Sequence, residues 1–264
     1  MIKGLELPTD SLVKCENAIS DAIVQVVELS NSTGALVALS GGIDSALVAT
    51  LASRVVDVRA LLLPDKASTM PQDMKDAEAL AKDLGIDYEL IEIGDVVQAI
   101  YGKRPAVGPE ECRLAFANVK PRVRMIMNYF AANLDGRIVL GTGNKTELLM
   151  GYFTKYGDGG VDVLPIGDLY KTRVRQMARH VGIPDPIINK PPSAGLWAGQ
   201  TDEAEMGATY EEIDSVLYAV FDLSLSLPEV EKATGVGDDK IRMVMERVKL
   251  TEHKRNMPQI VSFQ

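Results

Sequence analysis

The hexapeptide Ser40-Gly41-Gly42-Ile43-Asp44-Ser45 constrains this chain most, because it stands between two apolar runs, Ala35-Leu36-Val37-Ala38-Leu39 and Ala46-Leu47-Val48-Ala49-Thr50-Leu51-Ala52. The first run has the length of a buried strand and the second reads as an apolar helix, so the hexapeptide is a strand-to-helix turn. Its glycines let backbone N–H groups approach an anion, and the helix N-terminus adds its dipole. Ser40 and Ser45 can donate hydrogen bonds to phosphate oxygens, while Asp44 can hold the magnesium ion that travels with polyphosphate. The spacing is not GxxxxGK[ST] and no lysine follows the glycines, which excludes a Walker loop. The competing expectation is a plain tight turn with Asp44 and Ser45 as helix caps.

The surrounding pattern alternates strand and helix. A first helix runs from about Ser11 to Leu29, with Leu12, Cys15, Ile19, Ala22, Ile23 and Val26 on one stripe and Asp10 or Ser11 as its cap. Further strands are expected over Val58–Leu63, Tyr88–Ile93 and Arg137–Leu140, with a helix over Gln72–Leu84 and a long helical region over Glu110–Leu134 broken near Pro121. Beyond Asp168 the pattern is helical: Leu169–Val181, Tyr210–Tyr218, Leu227–Ala233 and Asp238–Glu252, with a Pro/Gly-rich loop over Asn189–Thr201. This predicts an α/β fold, a doubly wound parallel sheet of about five strands with a helical C-terminal extension, in a single domain over residues 1–264. Ligands of such sheets sit off the carboxyl ends of the strands, where the hexapeptide, Pro64-Asp65 and the turn at Gly141 converge.

A second constellation, Gly141-Thr142-Gly143-Asn144-Lys145-Thr146-Glu147, repeats the logic of the first: strand end, glycines, hydroxyls, acid. By itself it is a capped helix start, with Glu147 as the acid of a capping box. Beside a phosphate loop, however, a carboxylate needs a cation between itself and the phosphates, which makes Asp44 and Glu147 a magnesium pair. The run from Gly151 to Asp162 is too rich in glycine and charge for a buried element and reads as a functional loop.

Charge and cysteines narrow the classes. Twenty-eight Lys and Arg against thirty-seven Asp and Glu give a net charge of −9, which argues against a nucleic-acid-binding surface. Cys15 and Cys112 lie too far apart for a CxxC pair or zinc ribbon. No apolar run has the length of a membrane span, and the first residues lack a signal-peptide core, so a cytoplasmic protein is expected.

The hexapeptide resembles the pyrophosphate loop of the ATP-pyrophosphatase (PP-loop) superfamily. Taken together, SGGIDS, GTGNKTE, TKYGDGGVD, LPIGDLYKTRVR, PPSAGLWAGQTDE and TEHKR resemble the ammonia-dependent NAD synthetases, in their archaeal form, from about residue 15 to residue 258. The resemblance implies an adenine nucleotide alpha hydrolase-like fold and amidation of nicotinic acid adenine dinucleotide (deamido-NAD) through an acyl-adenylate, releasing AMP and pyrophosphate. It also implies ATP as co-substrate, magnesium as cofactor and a homodimer. By position, Ala38, Leu39, Ser40, Gly41, Gly42, Ile43, Asp44, Ser45, Thr142, Lys171 and Ser193 would bind ATP. Arg122, Lys155, Asp162, His253 and Lys254 would bind the dinucleotide, and Asp44 and Glu147 the metal.

At neutral pH most ammonia is ammonium, so a carboxylate able to take a proton is useful, and Asp158 is the candidate. The synthetase region leaves no length for a glutamine amidase domain, so free ammonia is the expected donor unless a separate glutaminase subunit supplies it. Alternatives are another PP-loop enzyme, performing GMP-synthetase-like amidation or tRNA thiolation, or a non-catalytic nucleotide-binding sensor. Two further expectations concern segments. The stretch from Lys190 to Thr201 should be a mobile cover for the ATP site, with Pro191-Pro192, Gly195 and Gly199 disfavouring regular structure. The Glu110–Leu134 region carries more large apolar side chains, Leu114, Phe116, Met125, Ile126, Met127, Tyr129 and Phe130, than one sheet-covering face needs.

Overall fold

The structure, a computed structural model, describes residues 2–103, 112–193, 195, 197 and 200–263. Four parallel strands form the sheet: β1 (Ala35–Ala38), β2 (Val58–Leu62), β3 (Asp87–Leu90) and β4 (Ile138–Leu140), in the spatial order β3-β2-β1-β4. Beyond β4, a parallel bridge pairs Leu140 with Val163, so the fifth position of the expected sheet is one residue wide among the described residues. The inner strands alternate between two apolar layers. Val37, Ala60, Leu62 and Leu140 face one core, while Leu36, Leu61 and Val139 face the other. Burial on both faces explains why these strands read as unbroken apolar runs. The edge strand β3 is shorter than expected, and its exposed Asp87 and Glu89 suit an edge that must not pair further.

The helices are α1 (Thr9–Leu29), α2 (Ile43–Ser53), α3 (Pro71–Leu84), α4 (Gly94–Tyr101), α5 (Arg113–Ala117), α6 (Val119–Asp135), α7 (Lys145–Met150), α8 (Lys171–Val181), α9 (Asp185–Ile188), α10 (Asp202–Met206), α11 (Tyr210–Phe221), α12 (Leu227–Thr234), α13 (Asp238–Leu250) and α14 (Glu252–Arg255). Helices α1, α2, α3 and α8 contribute to the core on one face of the sheet, and α4 and α6 to the core on the other. Helix α2 is buried nearly all round, which is why its sequence shows no polar face. A third core lies among the C-terminal helices, where Tyr170, Tyr210, Ile213, Leu217, Val230, Ile241 and Val244 pack with Ile2 and Leu5 from the N-terminus.

Several local expectations are corrected. Helix α1 begins at Thr9 with Pro8 at its cap position and no side-chain cap, so neither Asp10 nor Ser11 caps it. The break in the 110–134 region falls at Asn118, between α5 and α6, rather than at Pro121. Pro121 sits in the first turn of α6, where an N–H has no intrahelical partner to lose. Glu110 and Glu111 of that region, and Gly199 of the Pro/Gly-rich loop, lie outside the described residues.

Candidate functional site

The strand order reverses direction between β1 and β4, and the loops leaving these two strands flank a crevice at that switch point. The β1 loop is braced internally. The Ser40 N–H donates to Ser45 Oγ at 3.1 Å, Ser45 Oγ donates to the Gly42 carbonyl at 3.0 Å, and the Gly42 N–H donates to Ser40 Oγ at 3.3 Å. Gly41 has φ of +78°, and a Cβ there would stand 2.1 Å from the Asp73 carbonyl, so both the backbone and the space require glycine. Gly42 takes the N-cap position of α2 with no side-chain cap. The plain-turn expectation, with Asp44 and Ser45 as caps, therefore fails. The first N–H groups of α2 remain available to an anion.

The Asp44 side chain turns across the crevice instead. One oxygen accepts from Asn144 Nδ2 at 2.9 Å and the other from the Lys171 ammonium. Glu147 reaches the same ammonium at 3.7 Å. Asn144, fully buried, is the N-cap of α7: its Oδ1 accepts the Glu147 N–H at 3.0 Å, and its own N–H donates to Glu147 Oε2 at 3.2 Å. Glu147 is thus both the acid of a capping box and one of two carboxylates facing a single cation, so the structural and functional expectations for it hold together.

Burial, with Asp44 second, pushes Glu147 above the usual carboxylate range, against the pull of Lys171. Burial alone would lower Lys171, but Asp44 and Glu147 outweigh it and hold the ammonium above its ordinary pKa. Among the described residues no group of three or more His, Cys, Asp or Glu side chains forms a metal cage. Two carboxylates converging on one positive charge is nevertheless the donor set a magnesium ion takes when phosphates complete its shell, so these residues fit that ion.

Two contacts about the crevice had no distinct sequence signal. Lys190 donates to the Gly41 carbonyl at 2.9 Å and pairs with Asp73 at 2.7 Å and Asp76 at 2.6 Å. The first residue of the expected cover is therefore tied to the phosphate loop and α3. Following β2, Asp65 is held by Lys120 at 2.7 Å in a buried pair and accepts the Ala67 N–H at 3.1 Å.

The expected dinucleotide residues gather around the 151–160 loop. The Arg122 guanidinium donates to the Lys155 carbonyl at 3.3 Å, and the Lys155 ammonium donates to the carbonyls of His253 and, at 3.3 Å, Asn256. The Lys254 ammonium donates to the carbonyls of Gly151 at 2.7 Å and Phe153 at 2.9 Å. Burial, then neighbouring Arg247, pulls Lys254 below its ordinary pKa. Asp158 accepts the Thr154 N–H at 2.8 Å, and the protein crowded about its carboxyl pushes its pKa up although the residue keeps an exposed surface. Asp162 is held apart from this cluster, accepting from Tyr129 Oη and the Val139 N–H at 2.8 Å each. Thr142 lies in the loop between β4 and α7. Exposed Ser193 accepts a local N–H from Gly195 at 3.2 Å.

The chain resembles known proteins over nearly its whole length. The family model for NAD synthase matches residues 15–258. The NH3-dependent NAD(+) synthetase of Archaeoglobus fulgidus is 48% identical over 250 residues, covering 94% of this chain and 96% of its own. The structure of an NMN synthetase from Francisella tularensis superposes with a TM-score of 0.85 at 32% identity, over 98% of this chain and 100% of its own. That of an NH3-dependent NAD synthetase from Campylobacter jejuni, in complex with nitrate, gives 0.80 at 31% identity over 95% and 99%.

Proposed function

The chain belongs to the NAD synthase family, and from that membership we propose how its crevice performs the reaction. The chain is a ligase that forms a C–N bond, using ATP and ammonia to amidate nicotinic acid adenine dinucleotide. GMP-synthetase-like amidation, tRNA thiolation and non-catalytic sensing are not favoured, because the curated relatives share one name over nearly the whole chain.

A nicotinate carboxylate oxygen attacks the α-phosphorus of ATP, the bond to the bridging oxygen breaks, and pyrophosphate leaves. Ammonia then attacks the carbonyl carbon of the acyl-adenylate, AMP departs with its electron pair, and one proton is released. Adenylation matters because a free carboxylate is a poor electrophile. The backbone from Ala38 to Ser45, with Thr142 and Ser193, positions ATP, and Lys171 balances charge on the phosphates. Asp44 and Glu147 would hold magnesium, which supplies charge neutralisation on the polyphosphate.

Arg122, Lys155, Asp162, His253 and Lys254 receive the dinucleotide, whose pyrophosphate and carboxylate account for local cations in an acidic chain. Asp158, with its pKa raised, takes the proton released by ammonia. The single observation behind this assignment is the meeting of Asp44, Glu147 and Lys171 at the switch point beside an uncapped helix start.

The reading includes a cytoplasmic homodimer joined through α6. Arg122, Ile126, Phe130 and Leu134 recur at four-residue intervals, and the three apolar members are 57%, 60% and 71% exposed. A stripe so open calls for a partner, and Arg122 at its end would put the dinucleotide near the joint.

The test is formation of NAD and pyrophosphate from nicotinic acid adenine dinucleotide, ATP, magnesium and ammonium, with the mononucleotide as comparator. The dinucleotide should be preferred. Preference for the mononucleotide would overturn the substrate assignment, and no product with either would overturn the reaction.

A further inference from the structure

Helix α8 presents Lys171 from its first position, yet its cap residue Tyr170 makes no capping hydrogen bond with its side chain. The first N–H groups of a helix need partners when buried. Here they come from other elements: the Lys171 N–H donates to Thr146 Oγ1 on α7 at 2.9 Å, and the Thr172 N–H donates to Asp214 Oδ2 on α11 at 2.8 Å. The Thr146 hydroxyl in turn donates to Asp214 Oδ1 at 2.5 Å. Asp214 has no exposed surface and Thr146 none either. Burial pushes the Asp214 carboxyl up to about 6, opposed by Thr146 and Thr172, so the donors are needed to keep it charged.

We propose that Asp214 is a positioning residue for the amidation reaction, acting through Thr146 to hold the start of α8 against the start of α7. Lys171 rises from one of these helix starts and Glu147, next to Thr146, from the other. One carboxylate therefore fixes the separation of the cation and the acid that face Asp44. It does so from α11, whose core is that of the C-terminal helices. The crevice chemistry thus depends on a residue outside the sheet layers. Asparagine is a poor replacement: with its oxygen kept on the Thr172 N–H, its NH2 faces the Thr146 hydroxyl, which must then accept this bond as well as the one from the Lys171 N–H and turn its own proton away inside a buried site.

The inference rests on the proposed roles of Lys171 and Glu147, so the wild-type amidation assay is run first; an inactive wild type refutes those roles and not this coupling alone. The variants are Asp214→Asn, Thr146→Val, the double variant and Thr146→Ser, each assayed at a temperature where circular dichroism shows it folded. Asp214→Asn and Thr146→Val should each lower kcat about 10²-fold, the usual effect of a small misplacement of reacting groups, with KM for the dinucleotide nearly unchanged. The double variant should lose little more than either single one, since both break one linkage. Thr146→Ser keeps the bridging hydroxyl and should stay within about three-fold of wild type. Folded Asp214→Asn with wild-type kcat, additive losses, or a change confined to KM would overturn the proposal. So would a loss that merely follows the unfolded fraction.

Discussion

Replacing Asp44 by asparagine is the sharpest probe of the crevice, because both carboxylate oxygens are engaged from opposite sides. Asn144 donates to one at 2.9 Å and the Lys171 ammonium to the other. An asparagine can offer its carbonyl oxygen to only one of these donors, leaving its NH2 against the other. A donor left unpaired costs about 1–3 kcal/mol. Breaking a fully buried ion pair costs about 3–5 kcal/mol, but two features hold the loss to the lower figure. Glu147 remains 3.7 Å from the ammonium, and its repulsion by Asp44 is relieved. At about 2–4 °C per kcal/mol for a chain of this length, Tm should fall by about 2–12 °C, leaving the protein folded at room temperature. Activity should fall much further, by about 10²–10³-fold, as when a fixed charge at the reacting centre is removed. The assay is pyrophosphate release at room temperature on protein whose circular dichroism matches wild type. If the folded variant keeps more than about a tenth of the wild-type rate, a deficit under about 1.4 kcal/mol, Asp44 does not hold the metal.

Lys190→Met should destabilise by about 1–2 kcal/mol near neutral pH, since it removes the ammonium shared by Asp73, Asp76 and the Gly41 carbonyl. Burial alone would raise Asp76, but Lys190 outweighs it and holds the carboxyl below its ordinary value, so this stabilisation is present above about pH 4 and fades as pH falls through the folded value. Lys190, held above its ordinary pKa, keeps its side of the pair charged until strongly alkaline pH. Urea unfolding should therefore show a wild-type-to-variant gap at about pH 7 that narrows by about pH 3; an equal gap at both would refute the ion-pair account. Ile126→Lys, on the exposed stripe of α6, should lower dimer content and activity together, and a fully active monomer in sedimentation at micromolar concentration would sink the proposed interface. Trp197 lies under the Arg113 guanidinium, 4.6 Å from its ring centroid, so ordering of the 190–201 segment by ATP and dinucleotide should change tryptophan fluorescence; an unchanged spectrum at saturation counts against a cover that closes.

What could be foreseen of this site divides by the range of the interactions that make it. The phosphate loop was legible because its demands are local: a left-handed glycine at position 41, a further glycine in extended conformation at the cap, and a strand and helix immediately on either side. The alternation of apolar runs announces the parallel sheet for the same reason, and it fails at the edges, where β3 stops at Leu90 rather than Ile93 and the fifth position is a single bridge. Local propensity puts the helix break at Pro121, whereas a proline in a first turn loses nothing and the chain breaks at Asn118 instead.

Asn144 shows the other limit. Its spacing from Glu147 announces a capping box, but nothing nearby announces that its amide also reaches Asp44, a hundred residues earlier. Lys190 and Asp214 are harder still, since an isolated lysine in a loop, or an isolated aspartate on a helical pattern, reads as a solvated surface charge. Each is instead committed to a backbone group that its own element does not supply: Lys190 to the Gly41 carbonyl, Asp214 to the Thr172 N–H. The sheet places the phosphate loop at the switch point, but the charges around it are fixed by side chains doing duty as caps and ties for distant backbone. That pairing of duties is why removing Asp44 or Asp214 should disturb chemistry more than stability.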